Sequence, residues 1–105
     1  VSQSRSIGAK NITDVNGPGA LDITAAINSI TTTGTGDALT LVDGGSAQTM
    51  VIVYEAETAG GDTAILTPDN LSGGTTITFN NVGDTAVLKF VKGSWYFLSG
   101  TAVVA

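Results

Sequence analysis

At 105 residues the chain is sized for a single domain, since a chain this short buries only about two-thirds of its unfolded surface and has no second core to divide off. Hydrophobic residues make up 42% and charged residues 12%, against roughly 25% charged in ordinary soluble domains, so much of the surface is Thr, Ser, Gly and Asn and suits burial against further copies or a larger assembly. The net charge of -5 divides into +2 from Arg5 and Lys10, with no acid among the first thirteen residues, and -7 from nine acids against Lys89 and Lys92; a body of that sign excludes nucleic acid as a partner.

Residues 1–12 are Ser-rich, polar and basic with Ile7 as the one large apolar anchor in the run VSQSRSIGAK, the profile of a flexible N-terminal arm ahead of a single β-domain over 13–105. VSQSRSIG lacks the apolar centre of a signal peptide, and no apolar run approaches the ~20 residues of a membrane-spanning helix, so no membrane partner is expected. Asn11 to Asp14 opens a short strand that Asn16-Gly17-Pro18-Gly19 ends in a turn. In ALDITAAINSITTTG, Ile23, Ile27 and Ile30 recur at helical spacing while Leu21, Ile23, Ala25 and Ile27 also alternate; the β-branched run Ile30 to Thr33 favours strand.

Ala38 to Val42 is the next strand, with Leu39 and Leu41 on one face, and Asp43-Gly44-Gly45 turns the chain. Ala47 to Glu55 is the most apolar run, with Met50, Ile52 and Tyr54 on one side and Val51 and Val53 on the other, as a central strand requires. Thr63 to Thr67 follows, ended by Pro68-Asp69-Asn70. Gly73 to Gly100 then reads as a β-meander. Thr75, Ile77 and Phe79 share a face, Ala86, Leu88 and Phe90 share another, Lys92-Gly93 makes a tight hairpin, and Ser94 to Ser99 carries the aromatic cluster Trp95, Tyr96, Phe97. Strands every eight to twelve residues between Gly, Asp and Asn turns predict an all-β fold, an antiparallel sandwich, barrel or prism of short strands. Its predicted core or subunit-interface residues are Ile52, Tyr54, Phe79, Leu88, Phe90, Trp95 and Phe97.

Three segments echo one another: GDALTL from Gly36, GDTAIL from Gly61 and GDTAVL from Gly83. Each is a glycine-aspartate turn feeding an apolar strand, which reads as one turn chemistry reused rather than as a structural repeat.

The absence of His and Cys removes serine and cysteine triads, disulfides and His- or thiolate-ligated metal sites. Glu55 and Glu57, two apart on a strand, would share a face at roughly 7 Å, a permissible carboxylate pair, but solvated acids at a strand end are the commoner arrangement. Asp37, Asp43, Asp62, Asp69 and Asp84 sit where turns want Asp, with no calcium-loop spacing among them. Trp95 and Phe97 fall on one face and Tyr96 and Leu98 on the other, so core or interface packing takes precedence over a sugar-stacking platform. No enzyme activity, cofactor or metal is expected.

The run LTPDNLSGGTTITFNNVGDTAVLKFVKGSWYFLSG, preceded by TTTGTGDALTLVDGG, resembles β-rich domains of tailed-bacteriophage structural proteins, especially from aquatic hosts: head-decoration, cement and fibre proteins. The likeness spans about Leu21 to Gly100 and is most marked in Gly83-Asp84, the strand after it, the Lys-Gly hairpin and the aromatic strand opening at Trp95. What the resemblance implies is a non-enzymatic virion protein on the outer capsid surface, a homotrimer that binds the major capsid protein and holds adjacent capsomers. Arg5, Ile7 and Lys10 of the arm, and the apolar tail Thr101 to Ala105, would reach neighbours. The alternatives are a fibre or spike domain binding host glycans, or a non-viral carbohydrate-binding module.

Overall fold

The computed structural model describes residues 12–105, so Arg5, Ile7 and Lys10 lie outside the described residues; Ile12 already opens the first strand. Alternating β-branched and polar residues set ten strands: β1 (Ile12–Asn16), β2 (Gly19–Ala20), β3 (Ile27–Thr32), β4 (Asp37–Leu41), β5 (Thr49–Glu57), β6 (Ala64–Pro68), β7 (Ile77–Phe79), β8 (Thr85–Val91), β9 (Ser94–Gly100) and β10 (Val103–Val104). They form two five-stranded sheets, β1-β3-β5-β8-β9 and β10-β7-β6-β4-β2.

The chain therefore winds. Its first six strands alternate between sheets, so three successive turns each lay one strand on either side, and each strand pairs in parallel with its counterpart from the previous turn. Parallel neighbours need a crossover, and here the opposite sheet supplies it in place of a helix. From β7 on, the chain completes both sheets with antiparallel strands.

The inner faces meet over one core. Ile30, Met50, Ile52, Tyr54, Ala86, Leu88, Phe90 and Trp95 come from the first sheet and Leu39, Leu41, Ala64, Leu66, Ile77 and Phe79 from the second, with Phe97 partly buried against them. Of the residues expected in a core or subunit interface, Ile52, Tyr54, Phe79, Leu88, Phe90 and Trp95 are buried here and Phe97 is half-buried. The loop from Val42 to Gln48 closes over Trp95, whose indole Nε1 donates to the Val42 carbonyl at 3.0 Å, while Phe90 meets its ring edge-on at 5.2 Å.

The fold is all-β, as the alternation predicts, and β5 is central, but several finer expectations are corrected. The sheets are mixed rather than antiparallel throughout, because local periodicity carries no information about strand direction. The meander is broken: β7 belongs to the second sheet and only β8–β9 is a hairpin, its Lys92 and Gly93 both at positive φ (49° and 92°) as a type I′ turn requires. Leu21 to Ala26 is a turn rather than strand, held by Asp22, whose carboxylate accepts from the Thr24 amide at 2.9 Å, the Thr24 hydroxyl at 2.6 Å and the Thr13 hydroxyl at 2.7 Å. The C-terminal tail turns inward to its own chain, where Val103 and Val104 pair with β7 and Ala102 is buried.

The three glycine-aspartate segments share one device. Gly36, Gly61 and Gly83 take positive φ, and each following carboxylate reaches back to an amide three or four residues earlier: Asp37 to Thr33 at 2.8 Å, Asp62 to Ala59 at 3.3 Å, Asp84 to Asn80 and Asn81 at 3.0 and 3.1 Å. For the first two copies the likeness is also spatial, since β4 and β6 are neighbours; their register, Asp37 beside Ala64, is two residues off the motif alignment and so preserves which side chains face inward.

Candidate functional site

The accessible chemistry lies on the outer face of the first sheet. A strand with both faces apolar must leave one of them outward once the other meets the core, and in β5 Val51, Val53 and Glu55 point away from Met50, Ile52 and Tyr54. Register aligns Ile12, Ile27, Val51 and Val87 in one row across β1, β3, β5 and β8. The next row along the strands is Asp14, Ser29, Val53 and Thr85. Ile12, Asp14, Ile27, Ser29, Val53 and Glu55 line a shallow, open depression of about 250 Å³.

Its polar groups are positioned by an irregularity in β5. Ile30 pairs with Tyr54 but Thr31 pairs with Ala56, so Glu55 is an extra, bulged residue, and bulges re-aim the side chain they carry. The Glu55 carboxylate accepts a hydrogen bond from the nearly buried Ser29 hydroxyl at 2.5 Å. The bulge also separates the two carboxylates expected to share a face. Glu57 pairs with Thr32, whose side chain is in the core, and its charge acts on Tyr54, so it lies on the opposite side from Glu55.

The lining thus offers a hydroxyl and two carboxylates beside apolar side chains. Two carboxylates beside Ile12, Ile27 and Val53 suit a partner that brings a cation at the margin of an apolar patch. At the other end of the face Lys89 pairs with Thr49 and Tyr96, and its ammonium donates to the Ala47 carbonyl at 2.9 Å and the Thr49 hydroxyl at 3.1 Å.

The aromatic residues separate as their alternation predicts. Trp95 is fully buried and offers no stacking surface, while Tyr96 is 41% and Leu98 57% exposed on the outer side of the edge strand β9. Tyr54 is also fully buried; its hydroxyl donates to the Asp62 carbonyl at 2.9 Å and lies 2.7 Å from the Thr32 hydroxyl. Burial, and secondarily the negative charges of Glu57, Asp62 and Asp37, push its phenol up against the opposing Thr32 hydrogen bond. The Asp43 carboxylate accepts twice from the Asn70 amide, at 2.9 and 3.0 Å. Among the described residues no three acids gather as metal ligands would.

Sequence reasoning missed Ser29, Asp14 and Asp22. Asp-x-Thr at 22–24 is a readable turn signal, whereas the meeting of Asp14, Ser29 and Glu55 depends on three strands from different turns of the chain. No protein-family model matches the chain, and no curated protein matches it either.

Proposed function

We propose that the chain is a non-enzymatic structural protein of a tailed-phage virion, a decoration or cement protein that lies on the outer capsid surface and holds adjacent capsomers through shape and apolar contact. The observation that carries this reading is the outer face of the first sheet, which sets an apolar row between charged residues while the core beneath it is closed. A face of that kind works by covering another surface. The phage-like pattern from Leu21 to Gly100 supplies the class of surface.

A second reading, a fibre or spike domain, draws on one specific feature. Stacked parallel turns extend by repetition along one axis, the geometry of an elongated projection. Glycan binding in that reading rests on exposed Tyr96, since Trp95 and Tyr54 are in the core.

Fractionation of gradient-purified particles from the chain's source into heads and tails tests both. The decoration reading expects the chain in the head fraction and rebinding of recombinant chain to heads stripped of it. Recovery with tails favours the second reading, and absence from both fractions overturns the virion assignment.

A further inference from the structure

The depression on the outer face of the first sheet opens at the point where the described residues begin. Ile12, the first residue of β1, is exposed and is itself part of the lining, and residues 1–11 precede it directly. That segment, VSQSRSIGAKN, carries Arg5 and Lys10 with no acid, and Ile7 lies between them. The depression presents the reverse: the carboxylates of Asp14 and Glu55 beside Ile12, Ile27 and Val53. A basic segment with a branched aliphatic side chain therefore matches this hollow in sign and in kind. Lys89, at the far end of the face beside Thr49, disfavours a basic segment there.

We propose that the segment before Ile12 folds back over this depression in the free chain, with Ile7 on Ile27 and Val53 and the Arg5 guanidinium on the Glu55 carboxylate. The levels agree. Ile27 lies one strand over from Ile12, and Val53 lies one strand further and two residues along. The sideways distance is ~10 Å at about 4.8 Å per strand, and the five residues from Ile12 back to Ile7 span up to ~17 Å. Arg5 is two residues beyond Ile7, as Glu55 is two residues beyond Val53, so both steps are ~7 Å. Because β1 runs from Ile12 toward Asn16, the chain before it must reverse to reach Asp14 and Glu55, and Gly8 is the residue that accepts a reversal. Glu55, bonded through one oxygen to Ser29, keeps the other for a guanidinium. The contact is small and reversible, so the face is freed for another surface once the segment is displaced. It concerns the chain alone, and it stands or falls apart from the proposed function.

The chain has no cysteine, so a thiol introduced by Val53→Cys reports on the depression alone. Its rate of reaction with a neutral maleimide is measured in the full chain over a range of protein concentrations, with each variant checked for folding by circular dichroism. The expected result is a slow reaction that becomes roughly tenfold faster when Arg5→Glu or Ile7→Asp is added, because each removes one half of the contact. Glu55→Arg has the same effect, and combining it with Arg5→Glu restores the slow reaction, which loss of charge at either position alone would not give. Should Glu55→Arg not fold, the two variants in the N-terminal segment still decide. A rate that neither Arg5→Glu nor Ile7→Asp changes overturns the proposal, as does a charge swap that leaves the reaction fast. So does a protection that grows with protein concentration, which would mean that a second copy covers the face.

Discussion

Tyr54 shows how one side chain ties the winding together. Its phenol sits on β5, bonds to Thr32 on the preceding turn and to Asp62 in the loop that leads to β6, and is closed off from water on every side. Tyr54→Phe keeps the ring and removes both bonds, leaving the Asp62 carbonyl and Thr32 hydroxyl short of a partner; the expected cost is about 1–2 kcal/mol in urea unfolding. Because the folded phenol is raised above its unfolded value, the stability that depends on it is full below the unfolded pKa of about 10 and is lost as pH rises through the folded value. Tyr54→Phe should therefore flatten the alkaline limb of the stability profile. Asp22 works in the opposite sense. The Thr24 hydroxyl, the Thr13 hydroxyl and the Thr24 amide hold its carboxyl below the usual range, so its contribution is present above the unfolded pKa of about 3.9 and is lost as pH falls through the folded value. Thermal melts of Asp22→Asn in acid should show a shallower fall than those of the parent, and an unchanged slope would refute that assignment.

Single elements were readable from sequence to the extent that their contacts are local. β8 spans Thr85–Val91 as its alternation predicts, and Lys92-Gly93 makes the predicted tight turn, because a hairpin carries its own pairing instructions. Leu21 to Ala26 misled because Asp22, an intrinsic turn-former, interrupts an apolar alternation that still buries Leu21 and Ala25. The bulge at Glu55 was invisible for another reason: it exists only relative to Ile30 and Thr31 on a separate strand. The site inherits that limit, since Asp14 and Ser29 are residues whose spacing in sequence means nothing until β1 and β3 are stacked. The loop over Trp95 offers a test at this scale. A Cβ at Gly44 would fall 2.8 Å from the Trp95 ring, which is held by its bond to Val42, so Gly44→Ala should destabilise by about 1–3 kcal/mol and shift the tryptophan emission. A wild-type melting curve and spectrum would show that the loop stands off from the indole.

At the scale of the whole molecule, the two sheets depend on each other because no early turn of the chain completes either one. Each coil contributes one strand to each sheet, and the core residues Leu39, Leu66 and Ile77 on one side meet Ile30, Ile52 and Leu88 on the other only when the coils are stacked. The outer face is a product of the same stacking, for its apolar row draws one residue from each of β1, β3, β5 and β8.

The winding also sets an order in time. Ile12 waits for Ile27, Gly19 for Leu39, Ile27 for Val51 and Asp37 for Ala64, so the first six strands pair with one another only across distances of fifteen to twenty-seven residues. Closing such loops costs chain entropy before any contact repays it. Among the described residues, β8 and β9 are the one pair of consecutive strands that bond across a two-residue turn. Nucleation therefore belongs near the C-terminal hairpin, and structure spreads back toward the coils that a ribosome delivers first. Mutations in that hairpin should slow folding while those in β1 and β3 should chiefly speed unfolding, a pattern that stopped-flow kinetics would contradict by returning the reverse. A protein built this way meets its surroundings with its N-terminal strands still unpaired.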